Sequence, residues 1–122
     1  MTEIQLYDTT LRDGAQQEGI SLSVEDKLRI IRELDKLGVD VIEAGNPGSN
    51  PKEVELFTYL RNMPLQTSKI AAFGMTRRAG QPVETDPNIV ALLESGAPIA
   101  TLVGKSSNVQ VVHVLETTLE EN

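Results

Sequence analysis

The sequence has 122 residues, about one ordinary domain, with 11 Lys plus Arg against 18 Asp plus Glu and a net charge of -7. That acidity argues against a nucleic-acid backbone binder, which needs a basic face, and the absence of cysteine excludes disulfide frameworks, thiolate zinc sites and Cys nucleophiles. A single histidine, His113, leaves any metal site within the chain dependent mainly on oxygen ligands. No apolar run approaches the ~18 residues of a membrane span, and Met1-Thr2-Glu3 carries no basic or apolar leader. A soluble, cytoplasmic protein is expected.

In chain order, Ile4-Gln5-Leu6-Tyr7 is a short β-prone run ending in the polar cluster Asp8-Thr9-Thr10. Ser23 reads as an N-cap with Asp26 as its capping-box acid. Val24, Leu28, Ile31, Leu34 and Leu37 then follow at helical spacing, with charges expected on the other face, and Gly38 ends the helix. Val39 to Ala44 is the next strand. Asn50-Pro51 predicts an N-cap with Pro at N1, Glu53 completes a capping box, and Val54, Phe57 and Leu60 form the apolar stripe. Lys69 to Met75 is a third strand. Asp86-Pro87 repeats the helix-start signature ahead of Ile89, Leu92 and Leu93, with Gly96 at the end. Ile99 to Val103 is the fourth strand, and Val109, Val112, Leu115 and Leu119 predict a last amphipathic helix from about Ser106 to Asn108 onward. Such βαβαβαβα alternation packs most naturally as a parallel sheet covered by its crossover helices.

In parallel α/β folds reactive groups gather where strands run into helices. Here those segments are Asp8 to Gly19, Glu43 to Asn50, Thr76 to Thr85 and Gly104 to Asn108. The first packs two carboxylates, an arginine and two hydroxyls into nine residues. Asp13 suits a hard divalent cation, and Arg12 offers a donor fork for a carboxylate or a developing oxyanion. The same residues also fit an ordinary loop, with Asp8 capping and Arg12 in a surface ion pair. Glu43 lies where its strand reaches the same mouth. Arg77-Arg78 could meet a carboxylate or a phosphate, or be a solvated pair. Gly104-Lys105-Ser106 fails as a P-loop because Ile99 occupies the required glycine position. His113, between Val112 and Val114, reads as a packed or partly exposed helix residue, and Glu116, Glu120 and Glu121 as a solvated helix end.

Asp8-Thr9-Thr10-Leu11-Arg12-Asp13-Gly14-Ala15-Gln16 resembles the signature of the DRE-TIM metallolyase superfamily. Ile42-Glu43-Ala44-Gly45-Asn46-Pro47-Gly48 and Ala72-Phe73-Gly74-Met75-Thr76-Arg77-Arg78 bring the likeness toward its citramalate synthase and 2-isopropylmalate synthase members. The resemblance covers essentially the whole chain. It implies an α/β fold, the N-terminal (β/α)4 half of a TIM (β/α)8 barrel with parallel strands, as a partial catalytic domain over residues 1–122. It further implies an acyltransferase condensing acetyl-CoA with a 2-oxoacid, pyruvate foremost, by a metal-assisted Claisen reaction in isoleucine or leucine biosynthesis. By the same resemblance Asp13 binds a divalent metal (Mn, Zn or Mg) and Arg12 stabilises the enolate or ketone oxygen. Gln16 lines the substrate site, and Glu43 acts in catalysis as an organiser of Arg12. The family's His-x-His metal pair does not occur in this sequence. A non-catalytic half-barrel that self-associates through open strand edges, and a lyase of the 3-hydroxy-3-methylglutaryl-CoA lyase type, are the competing readings. A homo-oligomer is expected in either case.

Overall fold

The computed structural model describes residues 2–122. Its elements are β1 (Tyr7–Asp8), α1 (Val24–Leu37), β2 (Val41–Gly45), α2 (Pro51–Leu60), β3 (Lys69–Met75), α3 (Pro87–Glu94), β4 (Ile99–Val103) and α4 (Asn108–His113). All four strands are parallel and lie in the order β1-β2-β3-β4. Each strand pairs with the one before it in sequence, the arrangement of four successive βα units of a barrel. The predicted α/β half-barrel architecture is therefore what the chain adopts.

Alternation along the strands separates two faces. Ile42, Ala44, Ile70 and Ala72 point outward and are buried with Ile31 of α1, Leu56, Phe57 and Leu60 of α2 and Leu92 of α3. Tyr7, Glu43, Phe73 and Thr101 occupy the opposite, concave face. The sheet curves enough for the Tyr7 hydroxyl on β1 to lie 2.6 Å from Thr101 Oγ1 on β4.

The helix starts follow the sequence signals closely. Ser23 Oγ accepts from Asp26 N, and Asp26 returns a bond to Ser23 N, both at 3.0 Å. Gly38 ends α1 in the left-handed region at φ 93°. Asp86 caps α3 by accepting from Asn88 N and Ile89 N, and its other oxygen accepts from Arg78 N at 2.8 Å. That fully buried carboxylate, held below its usual pKa chiefly by the Arg78 N–H, anchors the β3–α3 loop.

Several expectations are corrected. The first strand is Tyr7–Asp8 rather than 4–7, because Ile4 and Leu6 are exposed beside a single neighbouring strand. There, Leu6 N donates to the Asp40 side chain rather than to strand backbone. Asn50 caps α2 as expected, accepting from Glu53 N at 3.0 Å. The Glu53 side chain does not complete the capping box; it turns inward to Lys27. Val54, Leu37 and Leu93 are exposed, and Leu56 is buried instead. Helix α4 spans six residues and buries Val111, leaving Val109 and Val112 exposed. It does not run through Leu115 and Leu119. Glu116 has φ 52°, which a helix cannot accommodate, and Thr118 caps a fresh turn by accepting from Glu121 N at 3.2 Å.

The buried face of α1 carries two charges, one on either side of Ile31, contrary to the expected segregation. Asp35 accepts from Gln66 N, Thr67 N and Ser68 N at 2.7–2.9 Å, locking the loop into β3. These donors lower its pKa to about 2. Lys27 pairs with Glu53 across α1 and α2, both nearly buried, while Glu53 Oε2 has no hydrogen-bond partner among the described residues. Gly45 lies against that carboxylate, and a Cβ there would overlap it.

Two stability measurements test this account. Lys27→Met leaves the Glu53 charge buried and alone and should cost about 3–5 kcal/mol in urea unfolding. Lys27→Met with Glu53→Leu should regain most of that. Because the folded pKa of Asp35 is depressed, its contribution is full above the ordinary carboxylate value and is lost as pH falls toward about 2. Asp35→Asn should therefore lower the thermal midpoint at pH 7, and the gap to the unmodified protein should close on acidification from about pH 4 toward 2.

Candidate functional site

The carboxyl ends of β1 and β2 bring Arg12 and Glu43 together. After β1 the chain turns sharply: the Thr9 carbonyl accepts from Arg12 N, Asp13 N and Gly14 N at 2.9–3.2 Å. Asp8 steadies the same turn by accepting from Thr10 N and Thr10 Oγ1 at 3.1 and 2.9 Å. The turn aims the Arg12 side chain over the sheet, where its Nε donates to Glu43 Oε1. The guanidinium carbon lies 4.1 Å from the centre of the Phe73 ring, a cation–π contact from β3. Arg12 therefore has a buried partner in addition to the surface ion pair that a bare loop reading allows.

Glu43 is 2% exposed, and a carboxylate in that setting must be paired. Its second oxygen accepts from the Tyr7 hydroxyl. The Tyr7 pKa is raised, first by burial and then by that bond to Glu43, so the phenol remains a donor across the neutral range. The group of Tyr7, Glu43, Arg12, Phe73 and Thr101 draws on all four strands or the turns that follow them.

Asp13 lies beside Arg12, with Nη1 to Oδ1 at 3.2 Å, and is largely exposed at 67%. Gln16, in a short 3-10 turn spanning Gly14–Gln16, makes no hydrogen bond to Arg12 or Glu43 but lines the same cleft of about 310 Å³. Arg12, Asn46, Asn50 and the Lys27–Glu53 pair also line that cleft. Arg12, Asp13 and Glu43 thus converge, with Gln16 at the rim.

Asp13 can offer one metal ligand. No group of three or more His, Asp or Glu side chains that could hold a metal occurs among the described residues, and His113 is exposed at the end of α4. The donor set of these residues does not fit a divalent metal centre by itself.

The remaining sequence features resolve differently. Arg77 is not a free cation: Nη1 bonds Glu121 at 2.6 Å, and the same carboxylate oxygen accepts from Gly80 N at 2.9 Å. Glu121 is accordingly no solvated helix-end acid, and its pKa is lowered first by the Gly80 N–H and then by Arg77. Arg77, Arg78 and Lys105 line a separate cleft of about 450 Å³ at the β3–β4 end. Sequence reasoning did not single out Tyr7, Phe73 and Thr101. The Phe73–Thr101 register shows that they share the face of Glu43, a signal available from strand alternation once the pairing is known.

No helix among the described residues is long and apolar enough to cross a membrane. A family model described as HMGL-like matches residues 3–121. The chain is 52% identical over 121 residues to an (R)-citramalate synthase of Synechocystis sp., covering 99% of this chain and 22% of that protein. It is 45% identical over 120 residues to the (R)-citramalate synthase of Aquifex aeolicus, covering 98% and 23%. A probable 2-isopropylmalate synthase of Archaeoglobus fulgidus is 35% identical over 121 residues, covering 99% and 22%. The chain spans about a fifth of the length of the curated relatives it matches. The signature carried by Asp8 to Gln16, the parallel βα units and the family match agree, and the chain belongs to the HMGL-like family.

Proposed function

We propose that this chain carries the oxyanion-binding part of an acyltransferase that condenses acetyl-CoA with a 2-oxoacid, pyruvate foremost, to give citramalate. The observation that carries the reading is the state of Arg12. A guanidinium has five N–H groups; Glu43 takes one and Asp13 another, which leaves three for a ligand at the mouth. The cation is held from one side by a buried carboxylate and from below by an aromatic ring, so it is oriented before any substrate arrives. The similarity to citramalate and 2-isopropylmalate synthases supports the same chemistry.

In this reaction a base removes a proton from the acetyl methyl group, and the enolate carbon attacks the keto carbon of the 2-oxoacid. The C–C bond forms as the ketone π pair moves onto oxygen. Free N–H groups of Arg12 stabilise that oxyanion, and preorganised donors of this kind supply a large share of such barrier lowering. Water then cleaves the thioester and releases the coenzyme A thiol and the hydroxy-diacid. Gln16, at the cleft rim, is placed to contact substrate. Asp13, exposed and bonded to Arg12 through Oδ1, would contribute a single ligand to a divalent ion. Further ligands would have to come from beyond those that the described residues bring together, and no step here is routed through a metal. Glu43, with both oxygens engaged, serves by fixing Arg12.

The test is coenzyme A thiol release by the protein that carries this chain, with acetyl-CoA, divalent cation and pyruvate, 2-oxoisovalerate or 2-oxoglutarate as acceptor. Release that depends on pyruvate above the other two is expected. Arg12→Lys, which cannot reproduce the planar fork, should lower kcat by about 10²–10³-fold. Absence of any 2-oxoacid-dependent thiol release, or full activity in Arg12→Lys, would overturn the reading.

A further inference from the structure

We infer that Tyr7 and Thr101 are positioning residues for Arg12, acting through Glu43 from the two outer strands of the sheet. The Tyr7 hydroxyl sits between Glu43 Oε2 and Thr101 Oγ1, the latter at 2.6 Å. Glu43 in turn grips Arg12 Nε with its other oxygen. The bonds form one line from β4 to the reactive turn: Thr101, Tyr7, Glu43, Arg12. The donor direction follows from chemistry. Glu43 as a carboxylate only accepts, so the Tyr7 proton goes to it, and Thr101 Oγ–H donates to the Tyr7 oxygen.

Glu43 cannot hold its orientation without Tyr7. Glu43 itself is 2% exposed, so removing the phenol oxygen takes away the protein donor to Oε2. The carboxylate then rotates toward another donor, and Arg12 loses its fixed angle over Phe73. Thr101 acts one step further out. It orients the Tyr7 hydroxyl, and a methyl in place of its Oγ leaves the phenol free to turn. Neither Tyr7 nor Thr101 lines the cleft beside Arg12 and Gln16; their hydroxyls bond to Glu43 and to each other, so their route to the cleft runs through the guanidinium.

The inference rests on Arg12 being the oxyanion donor, and its test separates the two. Steady-state kinetics and thermal midpoints are measured for the protein, Arg12→Lys, Tyr7→Phe, Thr101→Val and Thr101→Ser. A residue that orients a transition-state donor affects kcat, whereas one that merely supports the sheet affects the midpoint. Tyr7→Phe should lower kcat about tenfold, the cost of one lost hydrogen bond to a charged group, with KM for the 2-oxoacid within about twofold. Thr101→Val should show a smaller fall of the same kind, which Thr101→Ser restores. If Arg12→Lys is crippled while Tyr7→Phe and Thr101→Val keep the unmodified kcat, the positioning role is wrong and the Arg12 reading stands. If Arg12→Lys is unimpaired, both fall. Should Tyr7→Phe fail to fold, the Thr101 pair decides alone: an equal loss in Thr101→Ser and Thr101→Val would overturn the inference.

Discussion

A single buried carboxylate dictates how the mouth of this sheet is built. Glu43 lies inside the concave face, where an unpaired charge would be expensive, so each of its oxygens must find a donor. One finds Arg12 and the other Tyr7. The first bond draws the turn after β1 across the end of β2. The second ties β1 to β2 and, through Thr101, reaches β4. Phe73 fills the space beneath the guanidinium from β3. The loop that carries the family signature is thus fastened to the sheet by the residue that most needs a partner.

The rest of the fold separates stability from chemistry along the strand direction. Most of the apolar core lies between the convex face and the helices. At the start of β3, Asp35 collects three backbone donors and secures the loop from α2. At the carboxyl ends, the Lys27–Glu53 pair underlies the cleft beside Arg12, and Asp86 fixes the β3–α3 loop. A buried ion pair such as Lys27–Glu53 adds little net stability compared with well-packed apolar substitutes. Glu53 illustrates the cost, since one of its oxygens goes without a partner among the described residues.

Much of this was legible in the letters, for local physical reasons. The capping box of Ser23 and Asp26, Pro51 and Pro87 at N1, and Gly38 at the end of α1 are short-range chemistry, and the helices begin or end where those residues say. β3, with its continuous apolar run, kept the bounds read from it. The misses depend on distant residues. Lys27 and Asp35 look like solvated charges until Glu53 and the loop at 66–68 are folded against them. The Glu53 side chain abandons its capping box for the same reason. The last helix stops at His113, and the positive φ of Glu116 lies across the pattern that hydrophobic spacing alone would continue. In the site, Arg12, Asp13 and Glu43 were marked by the signature, whereas Tyr7 and Thr101 were silent. Their partnership exists only because the sheet curves, and no single segment records that curvature.

The central claim is that Arg12 is oriented by Glu43 before substrate binds, and nuclear magnetic resonance of the arginine Nε–H groups in the ligand-free protein reads it directly. Arg12 Nε–H should be protected from exchange with water and displaced downfield relative to the exposed Arg29 and Arg32, and Glu43→Gln should abolish both properties. An Arg12 Nε–H that exchanges as fast as those of Arg29 and Arg32 in the unmodified protein would contradict the account.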